Sequence, residues 1–311
     1  MLQRKDRITE KKTVRSRETS GAWAVWAAAR CVSDGAALLP VICGLFITTG
    51  LQAQYLPQHM TLNAGEEVTY DVYFKWGILM PRAGEGRLTF NPAVYGHTSA
   101  SLYRMTFQTS KFFDSVYKMR DTIECYYAPD YALLHSSKRT DEGGYYLTDE
   151  LTFSYDSQTQ TRVHSRRYTP QAVKIDTVIP VTREYVFDML GAVFFLRTLD
   201  RRQLKPDVTF PATVISGRDL VRISYRYTGE ATLELAGRHY QAHHFFIDIH
   251  DRAFTQSKSA AEVWVGNDGN ALPLKVRSKL RVGYAEIHYK SSARLKVSPA
   301  GQTKAGQNSP E

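Results

Sequence analysis

The sequence predicts an all-β protein, mainly antiparallel, whose curved sheet forms an incomplete barrel or sandwich around one central amphipathic helix near residues 183–202. Three observations carry that prediction. Nineteen tyrosines and fourteen phenylalanines occur in the chain, and all but Phe46 lie beyond residue 53, an aromatic density that favours strand. Apolar and polar residues alternate with a period of two over most of that region, as half-buried strands require. One segment, Arg183 to Arg202, switches to a helical period.

The chain opens with a segment of different character. Basic residues run from Arg4 to Arg17, an apolar stretch follows from Ala36 to Leu51, and Ala53 places a small residue before a cut. That order predicts a signal peptide over residues 1–53, with export to the periplasm or an envelope-associated location. The apolar stretch is shorter than the roughly 20 residues of a spanning helix, and no such span is expected in the mature chain. Val41-Ile42 before Cys43 departs from a lipidation signal. Asp6, Glu10 and Glu18 are foreign to a leader and point to a gene start assigned too far upstream. Eight basic and four acidic residues lie in the leader, so the net charge of +9 falls to +5 beyond it, too small an excess to argue for nucleic acid. Cys125 is the one cysteine beyond the leader, which excludes an internal disulfide and leaves stability to the core. Sitting among Ile123, Tyr126 and Tyr127, it reads as a strand residue.

Residues 54–297 read as a single β-rich envelope domain of two strand blocks around the helix. Val68, Tyr70, Val72, Phe74 and Trp76 alternate with Glu67, Thr69, Asp71, Tyr73 and Lys75 in the first strand. Similar runs recur near 87–90, 101–109, 116–127, 131–138, 144–155, 160–168 and 172–179, with turns at Asn91-Pro92, Pro129-Asp130, Glu142-Gly143-Gly144 and Asp156-Ser157. The second block has runs near 207–215, 219–228, 230–236, 239–249, 259–266, 271–282 and 284–296, with a hairpin turn at Asn267-Asp268-Gly269-Asn270. Between the blocks, Thr182 is the expected N-cap of a helix with apolar Val186, Met189, Leu190, Val193 and Leu196, and Phe187, Phe194 and Phe195 widen its apolar arc. A helix apolar over so much of its girth is expected to pack in the concave side of a sheet or to plug a barrel. Residues 298–311 lack apolar period and are expected to be disordered.

No catalytic motif, metal signature or cofactor fingerprint is found. His239, His243, His244 and His250, with Asp248 and Asp251, have no zinc spacing and fall on two strand faces. Asp141-Glu142 and Asp149-Glu150 read as solvated turn residues. Lys275, Arg277, Lys279 and Arg281 project to one side of a strand, and Arg222 and Arg226 repeat the pattern. That basic face fits anionic headgroups or glycans, or a solvated barrel exterior paired across strands with Glu286 or Glu234.

An ordered set of short motifs resembles a known family. Gly65-Glu66 leads into Tyr70-Asp71-Val72-Tyr73, Trp76-Gly77-Ile78 and Ala83-Gly84-Glu85-Gly86. Met119-Arg120-Asp121-Thr122 follows, then Tyr185 to Leu190, Leu196 to Asp200, and Glu262-Val263-Trp264-Val265 through Leu272-Pro273-Leu274-Lys275-Val276. Together they resemble the exported bacterial domain of unknown function numbered 3108, over nearly all of residues 62–296. The resemblance implies an all-β envelope protein and supplies no catalytic residues.

The leading expectation is a non-enzymatic binding or carrier module, its partner a lipid or other amphiphile, with Tyr70, Phe74, Trp76, Phe194 and Trp264 lining the ligand. An envelope scaffold working through contacts with another envelope protein is the alternative. A hydrolase of glycans or lipids, third in order, predicts convergent polar groups with perturbed pKa values in a cleft.

Overall fold

Alternation builds the first strand as the sequence dictates. In β1 (Glu66–Lys75), Val68, Tyr70 and Val72 are buried while Glu67, Thr69 and Asp71 between them are partly exposed. The computed structural model describes residues 63–75, 77–157, 160–182, 186–250, 257–280 and 283–295. The leader over 1–53, Trp76, Arg281 and the tail over 298–311 lie outside the described residues.

The first block continues as β2 (Arg82–Tyr95), β3 (Thr98–Thr109), a short helix α1 (Lys111–Asp114), β4 (Met119–Tyr127), β5 (Leu133–Glu142), β6 (Tyr145–Ser157), β7 (Gln160–Tyr168) and β8 (Val173–Thr182). A two-residue strand β9 (Val186–Phe187) and the helix α2 (Met189–Thr198) follow. The second block is β10 (Thr209–Ser216), β11 (Asp219–Leu235), β12 (Arg238–Ile249), β13 (Ser257–Gly266), β14 (Pro273–Lys279) and β15 (Tyr284–Ala293). All fifteen strands form one sheet in the order β8 to β1, then β15 down to β9. Neighbours are antiparallel except β9, which runs parallel to β10. The sheet curls into a nearly closed barrel with β8 and β9 as its edges. Near these edges the β10–β11 turn is tied by a Ser165 hydroxyl donating to the Gly217 carbonyl at 2.5 Å.

Three boundaries differ from the sequence reading. Asn91-Pro92 lies inside β2, because β1 ends its pairing at Phe90 and leaves the prolyl nitrogen on an unpaired flank. The runs at 219–228 and 230–236 are one strand, β11, broken by a bulge that Gly229 accommodates at φ +132°. The helix is shorter than 183–202. Val186 and Phe187 pair with Thr213 and Val214 of β10, and Asp188, not Thr182, caps the helix, its carboxylate accepting from the Gly191 amide at 2.6 Å.

The helix plugs the barrel. Leu190 and Phe194 join a cluster built mainly from β1 to β8 and completed by residues of β10, β11, β12 and β14, whereas Ala192, Phe195 and Leu196 join one built from β10 to β13. Phe194 stacks on Tyr127 at 4.5 Å and leans on Tyr103 at 5.0 Å. At its far end Arg197 grips Glu66 through two bonds of 2.6 and 3.0 Å and donates to the Asn270 carbonyl at 3.1 Å. Both side chains of that pair are 1 % exposed.

Candidate functional site

In a meander, alternate connections fall at the same end of the barrel. The β1–β2, β3–β4, β5–β6, β7–β8, β10–β11 and β14–β15 turns therefore form one rim. The helix enters below it and runs towards the other end, where Arg197 meets the start of β1. Between the rim and the first turn of the helix, the inner wall of β4 to β7 is polar.

Alternation and register place this wall. Met119, Ile123, Cys125 and Tyr127 of β4 are core residues, so Asp121 points inward with them. Ile123, Lys138, Asp149 and Arg167 lie opposite one another across four strands, and Cys125, Ser136, Leu151 and Ser165 form the next row down. Asp121 faces Thr140, and Glu142 faces Met119. A cavity of about 40 Å³, with Lys138, Asp149, Ser165, Arg167, Asp188 and Gly217 in its lining, opens beside the helix start. It is large enough for one or two waters, far below the several hundred cubic ångströms of a ligand pocket.

Asp121 is the unusual group of this wall. It is 2 % exposed, and neither carboxyl oxygen makes a well-formed hydrogen bond. Burial, reinforced by Glu142, pushes its pKa up to about 8, against the pull of Lys138 and the Asp141 amide. Burial also raises Glu142, which Lys138 offsets in part. Asp149 pairs with Arg167. Glu142 and Asp149, expected as solvated turn residues, thus belong to an inward wall, because each lies on the core-facing side of its strand. Asp121 was legible only as a polar residue on the apolar face of a strand.

Below this wall, Asp188 collects donors. The Cys125 thiol and the Ser136 hydroxyl donate to its Oδ2 at 3.1 and 2.6 Å, while its Oδ1 caps the helix. Burial and the Asp188 charge push the Cys125 thiol well up, so it stays protonated and is no nucleophile. A β-carbon on Gly191 would meet Asp188 Oδ1 at 2.9 Å and the Tyr127 hydroxyl at 3.1 Å. Gly191→Ala gains roughly 1 kcal/mol of helix propensity and loses about 1–3 kcal/mol to overpacking. Its urea midpoint is therefore expected to fall, and a rise would show the cap to be slack.

The residues expected to line a ligand do not share one surface. Tyr70 and Phe194 are core, and Phe74 packs against the same cluster and against Phe113 at 6.2 Å. Trp264 also touches that cluster, but it alternates with buried Val263 and Val265 and stacks on His244 at 4.6 Å with Lys275 and Arg277 over its ring. The basic face is outside and is largely neutralised. Lys275 and Arg277 reach Glu286 at 3.0 and 2.7 Å, and Arg226 reaches Asp248 at 3.2 Å. Glu286 is 3 % exposed; burial opposes its charge, yet His288, Arg277 and Lys275 hold its pKa far below the carboxylate range. Lys279 shares that outer face and is exposed, and Arg222 is exposed on β11 opposite Thr213. The histidines diverge: His243 points inward to the Tyr227 hydroxyl at 3.2 Å, and His250 contacts Ser224 at 2.7 Å. Among the described residues no group of three or more His, Cys, Asp or Glu is placed to hold a metal ion. None of the described helices is long and apolar enough to cross a membrane.

Comparison with known proteins agrees with this architecture. A solved structure described as a beta-barrel-like protein of domain of unknown function DUF1849 from Brucella abortus is similar, with a TM-score of 0.50 and 7% identity over 74% of this chain and 97% of that one. At that identity the likeness is one of fold. A search of the curated proteins finds no match. The model of the family described as a protein of unknown function, DUF3108, matches residues 69–290, so the chain belongs to that family.

Proposed function

We propose that the protein is a non-enzymatic binding module of the cell envelope that takes the polar headgroup of an amphipathic ligand into the mouth of its barrel. The observation that carries this reading is Asp121, buried on the inner wall with neither carboxyl oxygen in a well-formed hydrogen bond. Lys138 and Glu142 beside it supply charges of both signs. The lower barrel is filled by the helix and aromatic core, so a ligand seats head-first and its apolar part stays at the rim.

Native mass spectrometry with lipid extraction, on protein purified from its own cells, tests this. One stoichiometric amphiphile is expected, lost in Lys138→Glu and kept in Lys275→Glu on the outer wall. Empty protein that captures a defined envelope protein supports a scaffold instead. Phe194 is a poor probe because it is 2 % exposed in the core, and a charge there unfolds the chain. Two inward carboxyls with raised pKa values also favour hydrolysis as a second reading. It predicts that Asp121→Asn abolishes turnover of a glycan or lipid ester while leaving the fold intact.

A further inference from the structure

Large apolar side chains are exposed mainly at one end of this barrel. Ile78 and Leu79 of the β1–β2 turn are 98% and 64% exposed, and Phe112 and Val116 of the β3–β4 connection are 73% and 74% exposed. Tyr145 and Tyr146 follow the β5–β6 turn at 47% and 54%. These three connections are neighbours along the rim. The connections at the opposite end carry Asp130, Asp156, Arg238 and Asn267, and the exposed large apolar side chains near them are Val94 and Tyr155.

The rim also holds its apolar tips firmly. Ser110 caps α1, Phe113 turns inward against Phe74 at 6.2 Å, and Phe112 on the same short helix is left pointing out. Asp114 accepts from Arg120 at 2.9 and 2.6 Å and from Thr109 at 2.5 Å, which clamps the connection to β4. Cations accompany the apolar residues. Lys111, Lys174 and Arg218 are exposed on the rim and form no ion pair among the described residues. Of the carboxylates described in these connections, Asp114 is held by Arg120, Asp141 by Lys118 and Glu142 belongs to the inner wall, which leaves Asp219 exposed.

We propose that this rim docks on an anionic lipid bilayer, with Ile78, Phe112 and Val116 entering the interface and Lys111, Lys174 and Arg218 meeting the headgroups. Apolar tips ringed by unpaired cations are complementary to such a surface, and neither a neutral bilayer nor a second copy of this positively charged rim offers the same match. The surface is distinct from the polar inner wall, so docking stands whether or not that wall takes a headgroup.

Flotation with vesicles of phosphatidylcholine, alone or mixed with anionic phosphatidylglycerol, tests the proposal on protein isolated from its own cells. Binding to the anionic vesicles is expected, weakened by added salt. Phe112→Asp is expected to lower it roughly tenfold or more, and Lys111→Ser and Arg218→Ser each roughly fivefold. These positions are exposed, so the variants keep the wild-type melting temperature. Absence of vesicle binding, equal binding to both vesicle types, or undiminished binding by Phe112→Asp overturns the proposal. So does concentration-dependent dimerisation lost in Phe112→Asp, which would make a second copy the occupant. Failure here with a headgroup ligand found by mass spectrometry leaves the binding module standing, and the reverse result leaves the docking surface standing.

Discussion

Arg197→Met destabilises the fold by about 3–5 kcal/mol, the usual consequence of leaving one charge of a buried pair without its partner. The orphan is Glu66, 1 % exposed, whose two oxygens are engaged by the guanidinium at 2.6 and 3.0 Å. Burial alone would depress the arginine pKa, but Tyr103 and Glu66 outweigh it and hold the group charged at every accessible pH. Replacing both partners, as Glu66→Leu with Arg197→Met, removes the charge problem and retains an apolar stem of similar length. The double variant is therefore expected to unfold at a higher urea concentration than the single one. If the single variant is as stable as the double, the pair is not the clamp between helix and β1 that its geometry describes.

Stability falls as pH rises from about 4 to about 8, and Asp121→Asn flattens that slope. The sign follows from proton binding. Folded Asp121 has its pKa pushed up to about 8, and the unfolded side chain releases its proton near the ordinary aspartate value of about 4. Between those values the folded chain binds the extra proton, so raising the pH favours unfolding. At about 1.4 kcal/mol per pKa unit the loss is on the order of a few kcal/mol. The amide of asparagine needs no proton, so the variant gains most over wild type at pH 8 and little at pH 4. Glu286 acts in the opposite sense. Its depressed pKa contributes stability that is present above the ordinary glutamate value and lost as acid protonates it. Urea midpoints measured across pH should show a maximum on the acid side of neutrality. A wild-type midpoint that does not fall between pH 5 and 8 would mean Asp121 keeps its charge in the fold.

The strands were legible because period-two alternation is a local property, and β1 and β4 follow it almost residue by residue. Turn chemistry was less reliable. Asn91-Pro92 has the composition of a turn, but a proline is harmless where the neighbouring strand has already ended. Val186-Phe187 fits a helical period equally well, and only the parallel pairing with β10 decides it. The mouth was hidden for another reason: alternation divides a strand into two faces without saying which faces the barrel. In β14 the charged face is outside, and in β5 the face carrying Lys138 and Glu142 is inside. β4 did hold a signal, since Asp121 interrupts the apolar series Met119, Ile123, Cys125 and Tyr127.

The sheet's order also sets when it can assemble. β1 and β15 are the first and last described strands in sequence, yet they are neighbours at the middle of the sheet, paired from Glu67 opposite Ala293 to Lys75 opposite Tyr284 with one bulge at Thr69 and Tyr70. Every other antiparallel pairing joins strands adjacent in sequence, so each block can grow from its own hairpins as the chain emerges. Their union waits for the last strand, and this one contact of very long sequence separation governs the rate of closure. Until then β1 and β14 each present a bare edge, the state most exposed to aggregation. A chain ending before Tyr284 would hold two partial sheets linked by the helix segment, with the Arg197 clamp anchored to a strand paired on one side only.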